Sequence, residues 1–196
     1  MDHATPDPAA FFHVRVIVGV VTSLAIARVL NGLAHFVQAP ERKRAYGVHI
    51  AWSLLLLLMI VHFWWFEFAL ERVDRWTFEA YAFLIFYAAL YFFIAAVLFP
   101  DRLDGYEDFK AYFYDRRTWF FSLLIVLLVV DLVDTALKGM DHFRSLGIAY
   151  PIRQGLLILL ALIAIPIANA RCHVAFVALA LATQVWWIAL RYGSLH

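Results

Sequence analysis

Apolar residues fall into six runs, over 13–38, 46–69, 76–99, 117–138, 151–170 and 173–192. A helix rises about 1.5 Å per residue, so a run of about 20 residues reaches across a hydrocarbon core about 30 Å thick. Lipid offers the backbone no hydrogen-bond partners, and a helix is the structure that satisfies them within one segment. The pattern predicts an all-α polytopic membrane protein: one domain, 1–196, with six transmembrane helices. Pro100 closes the third run. Pro151 opens the fifth, where a first-turn proline is tolerated, and Pro166 inside that run predicts a kink.

The connection LDGYEDFKAYFYDRR between the third and fourth runs has a pattern of its own. Leu103, Tyr106, Phe109, Tyr112 and Phe113 recur at helical spacing between charged residues. This predicts a short amphipathic helix in the membrane interface, with an ordinary polar loop as the alternative. Trp52, Trp64, Trp65, Trp76 and Trp119 fall near run ends, as an aromatic belt requires.

Two runs carry a polar stripe. In the first, Arg28, Asn31, Gly32 and His35 stand at offsets that keep them on one helical face. In the fourth, Asp131, Asp134, Thr135 and Lys138 repeat those offsets. An acid in hydrocarbon costs about 2.5–3.5 kcal/mol on insertion scales, so both stripes are expected to turn inward. Arg28 and Asp131 are about 9–10 Å apart along the axis, a gap that an extended arginine and a modest tilt close. We therefore expect an Arg28–Asp131 pair, read either as structural glue or as part of a pathway. Asp134 then depends on Lys138, on water or on a transported cation, and it faces a cavity if Lys138 is drawn out to the interface.

The chain shows signs of an internal repeat. VLNGLAHF (29–36) aligns with ALKGMDHF (136–143), AYGVHIAW (45–52) with AYPIRQGL (149–156), and FFIA (92–95) with WWIA (186–189). Halves 12–100 and 117–193 would each have three spans, so the second copy would insert upside down, as in many secondary transporters. The first and fourth spans would then face each other.

Six spans put both termini on one side, side A. Side A receives Arg15, Arg72, Arg75, Lys138, Arg144, Arg153 and Arg191, and side B receives Arg42, Lys43, Arg44, Arg102, Lys110, Arg116, Arg117 and Arg171. The clustering on side B leans it toward the cytoplasm, which leaves the termini non-cytoplasmic in a plasma (inner) membrane. The N-terminus has no lysine or arginine before the first run, so that run is expected to remain as an anchor.

Composition narrows the function. The chain of 196 residues is 65% hydrophobic, far above the soluble range of about 45–50%. A net charge of +1 gives no sign of nucleic acid, and one cysteine, Cys172, excludes an intrachain disulfide. No metalloprotease helix, phosphate loop or nucleophile elbow is present, so no enzyme and no cofactor are expected.

The reading that follows is a small channel or transporter of ions, protons or a small solute, with the lipid bilayer as its surroundings. With so few helices, a pore would call for a homo-oligomer. Pathway residues are Arg28, Asn31, His35, Asp131, Asp134, Thr135 and Lys138. His62, Glu79 and Gln184 are secondary candidates, the first two as a proton relay with the aspartates. One of Trp186 and Trp187 is expected to face lipid and the other to line a cavity. A non-transporting subunit of a larger membrane complex is the alternative. A third reading, a haem-binding redox protein, rests on His35, His49 and His173 near side B, since His49 and His62 point to different faces of one helix.

Overall fold

The computed structural model describes residues 8–38, 45–67 and 77–192, and every regular element in them is helical. The helices are α1 (Pro8–Gln38), α2 (Gly47–Phe66), α3 (Phe78–Leu98), α4 (Phe109–Leu137), α5 (Met140–Ser145), α6 (Ala149–Ala164) and α7 (Ala170–Tyr192). Thr77 caps α3 by accepting from the Ala80 amide at 3.3 Å, and Asp108 caps α4 by accepting from the Ala111 amide at 2.7 Å. Each bond satisfies one of the amides a helix start leaves without an intrahelical partner. Gly139 and Gly147, at φ of 115° and 74°, make the turns that set α5 off from its neighbours.

The long helices close into a ring in the order α1, α3, α4, α6, α7, α2, and α2 also touches α3 and α4 across the middle. Val14, Val18, Ala25, Val29 and Gly32 form the inner line of α1. Small residues let helices approach closely in lipid, and Phe99 lies so near Gly32 that a Cβ there would stand 2.2 Å from its ring. Leu24, Leu54, Phe93, Leu162 and Leu190 point outward, each about half exposed. An apolar exterior around polar buried groups is the arrangement lipid requires.

Five helices, α1, α2, α3, α4 and α7, are long and apolar enough to cross a bilayer, and the chain is an integral membrane protein. The fifth predicted span differs from expectation. Its helix, α6, has 16 residues, and Pro166 stands in the turn after it rather than kinking its middle. The carbonyls freed there are taken by side chains: Arg117 Nε donates to Ile165 O at 2.9 Å, and His173 Nε2 lies 2.8 Å from Ile167 O.

The interfacial helix also differs. No breaker separates Phe109 from Arg117, so the amphipathic segment forms the first turns of a continuous 29-residue α4. Its aromatic side chains turn into the bundle, with Phe109, Tyr112 and Phe113 all buried. Trp52, expected in the belt, is core and packs edge-on against Phe120, Phe121 and Phe176. Trp65 and Trp119 are exposed as expected. Trp76, with Arg42, Lys43, Arg44, Arg72 and Arg75, lies outside the described residues.

The first and fourth spans do not face each other. α1 lies against α3 and α2, while α4 lies against α6 and α3. The two meet at side B through the rings of Phe36 and Phe109, 4.6 Å apart. Pairing within the two halves also differs, because the backbones of α1 and α3 run close together whereas the matching pair, α4 and α7, touch through side chains, with Phe121 of α4 against His173 and Phe176 of α7.

Candidate functional site

Polar groups collect in the side A half of the ring, around a cavity of about 30 Å³. That volume holds a water molecule or two. Its wall draws on α2, α3, α4, α6 and α7, with His62, Tyr87, Asp131, Arg153, Gln184 and Trp187 among the lining residues. Trp187 is buried and Trp186 is half exposed, which meets the expectation that the two tryptophans divide between cavity and lipid.

Asp131 is the centre of this site. Tyr87 on α3 donates to its Oδ1 at 2.7 Å, and Tyr150 on α6 donates to its Oδ2 at 2.7 Å. The Gln154 amide donates to the same Oδ2. Three neutral donors on two helices hold the charge, and bonds to an ionised acceptor are the stronger kind. Thr135, fully buried, has its hydroxyl 2.9 Å from the Asp131 carbonyl and 2.8 Å from the Tyr150 hydroxyl, and its single proton serves one of the two. Beside the acid, Arg153 donates to Gln184 Oε1. The Arg153 Nε and the Gln184 amide nitrogen are buried without a hydrogen-bond partner among the described residues.

One turn toward side A lies a second cluster. Lys138 Nζ donates to Asp134 Oδ2 at 2.6 Å and to Glu67 Oε1 at 2.8 Å, with side-chain exposures of 2% for the lysine, 3% for Asp134 and 5% for Glu67. The ammonium also sits 4.6 Å from the centre of the Phe66 ring, within cation–π range. Asp134 does rely on Lys138. The lysine, however, is not drawn out to the interface but folds inward, because α2 presents a second carboxylate and a ring face to it. The cavity consequently reaches Asp131 rather than Asp134.

The stripe on α1 goes elsewhere. Arg28 pairs with Asp101, at 2.6 Å, and not with Asp131. Asn31 and His35 are exposed. Gly32 takes the inward position against Phe99 and leaves its polar companions on the flank of the helix. Glu79 is exposed in the first turn of α3, where a negative charge suits the helix dipole, and it stands apart from the aspartates. His62 and Gln184 do line the cavity.

The histidines named for haem are separated. His35 is exposed on α1. His49 is fully buried among the rings of Phe36, Phe99, Phe109 and Phe113, at centroid distances of 4.9 to 6.5 Å. Neither of its nitrogens has a hydrogen-bond partner among the described residues. His173 packs on Phe113, Tyr114 and Phe121. Among the described residues no three His, Cys, Asp or Glu side chains gather as a metal site would require.

Sequence reasoning missed Glu67, Tyr87, Tyr150, Arg153 and Gln154. A usable signal existed on α6, where Tyr150, Arg153, Gln154 and Leu157 share one stripe by their spacing. No protein-family model matches the chain, and neither a curated protein nor a solved structure does.

Proposed function

We propose that this protein is a small membrane transporter or channel for ions, protons or a small polar solute, and not an enzyme. The observation that carries this reading is the water-sized cavity beside Asp131 and Arg153 in a lipid-facing bundle. Ionisable groups in a membrane interior are costly and usually mark a pathway, and here they converge on one space instead of scattering. α6 serves as a sixth, shortened span, and the termini lie on the non-cytoplasmic side of a plasma (inner) membrane. The path runs from side A past the Lys138 cluster to Asp131, then to Arg153 and Gln184. Beyond them an apolar pocket lined by Trp52, Leu55 and Phe176 follows toward side B. Passage through that half requires helices to part, with a homo-oligomer as one way to stabilise the parted state.

The test is flux in liposomes carrying the full chain, under proton, sodium and potassium gradients. Asp131→Asn and Asp134→Asn should fold and should lose most of the wild-type flux. Wild-type protein that carries none of these ions would overturn the ion and proton reading. A second reading, an accessory subunit of a larger membrane complex, is favoured by one specific observation. Asp131, Asp134 and Lys138 already have partners within the chain, as structural glue would.

A further inference from the structure

We propose that the cluster of Glu67, Lys138 and Asp134 holds one exchangeable proton, carried on Glu67, so that the ion moved through this site is H⁺. The inference rests on the transport reading above and names its ion.

The argument begins with the lysine. An ammonium has three N–H donors. Two go to Glu67 and Asp134, and the third side of the charge meets the Phe66 ring. A neutral amine would forfeit these charge-assisted bonds, so Lys138 is a cation. One positive charge then faces two carboxylates, and the cluster holds one negative charge too many in a space nearly closed to water. Asp131, one turn earlier on α4, adds another.

A bound proton removes the excess, and its position follows from the bonding. Asp131 is met by donors at both oxygens, from Tyr87, Tyr150 and Gln154. A proton there would force a tyrosine hydroxyl to reverse its bond or the Gln154 amide to lose its acceptor. Asp134 has the shorter contact with the ammonium. Glu67 remains, and its Oε2 is buried with no hydrogen-bond partner among the described residues. A bare, buried carboxylate oxygen is far costlier than a neutral acid in the same place. Among the described residues Lys138 is the one cation paired with Glu67; Tyr91 on α3 brings a phenol toward it, and His62 on α2 and His142 on α5 lie on the Phe66 ring at 6.1 and 5.6 Å. Charging and discharging make and break one bond, the O–H at Oε2, with the proton exchanged with water on side A.

The experiment is an infrared titration of the full chain in liposomes, following the C=O stretch of protonated carboxyl groups. Wild type should show one such group at neutral pH, lost on going alkaline. Glu67→Gln should abolish it by removing the group. Asp134→Asn should abolish it by a different route, since Glu67 then pairs with Lys138 one to one and ionises. Asp131→Asn should retain it. Absence of the band in wild type, its survival in Glu67→Gln or Asp134→Asn, or its displacement by sodium would each overturn the proposal. The band with no flux in wild type would uphold the proton site and sink the transport reading instead.

Discussion

Lys138 and Arg28 end two polar stripes of equal spacing, yet the bundle treats them in opposite ways. Lys138 is sealed in, 2% exposed, between two acids and a ring. Arg28 lies at the other end of the ring, 28% exposed, and its partner Asp101 is 86% exposed. The halves around them differ likewise. The side A half surrounds its buried charges with polar groups, Asp131 with donors from α3 and α6 and Lys138 with carboxylates from α2 and α4. The side B half buries a polar ring, His49, among four phenylalanines, and its nitrogens have no hydrogen-bond partner among the described residues. Polar spacing on one helix thus fixes which residues share a face, but not whether that face looks inward. What lies across the ring decides that.

The strongest way to break the comparison is to remove the buried cation. Lys138→Met leaves Asp134 as an uncompensated buried charge beside the protonated Glu67, and losing one partner of a buried pair typically costs about 3–5 kcal/mol. Unfolding in mixed detergent micelles should report that loss, and adding Glu67→Gln with Asp134→Asn should recover most of it. Additive damage in the triple variant would mean the three groups act separately. Tyr150→Phe deletes one donor to Asp131 and should cost about 1.5–3 kcal/mol, the usual range for a bond to a charged group. No change on the same assay would show that water replaces the hydroxyl.

On side B the expectation reverses. His49→Phe removes two unsatisfied nitrogens from an aromatic cage, and this relief offsets the added ring size. Stability should stay within about 1 kcal/mol of wild type, and a larger loss would reveal a hidden partner for the imidazole. Asp101→Asn should do least, since exposed ion pairs contribute little. The hydrogen bond and charge of Arg28 hold the Asp101 carboxyl below its usual range. Its contribution is therefore complete above the usual carboxylate range and fades as pH falls through the lowered value. The variant should sit just below wild type at neutral pH, converge with it in acid, and lack the faint acid-side slope in a pH series of melting curves.

The helical class and the placement of most spans are legible in the sequence, because run length alone answers the demand of lipid. Asp131 and Asp134 stand out for the same reason, as acids deep in an apolar run. Their partners do not. Tyr150, Gln154 and Glu67 sit near run ends, where polar residues are ordinary. Their meeting with α4 depends on the ring order of the helices, which no periodicity encodes. The α1 stripe misleads because Gly32, the member without a side chain, is the one that packs. The join of the amphipathic segment to α4 is visible only as the absence of a breaker between Phe109 and Arg117, a weaker sign than the change in polarity there.

The brevity of α6 has a consequence for the membrane around it. Its 16 residues rise about 24 Å, some 6 Å less than a typical hydrocarbon core. Ile152, Leu156, Leu159, Leu162 and Ile163 are exposed along it, so on the six-span reading proposed above lipid would meet this short apolar face directly. Such a mismatch is accommodated by local thinning, at a fraction of a kcal/mol per ångström. Thinning on the α6 flank brings headgroups and their water toward Arg153 and Asp131. Bilayer thickness thereby becomes a control on how wet the cavity is, and thin membranes should suit this protein better than thick, sterol-rich ones.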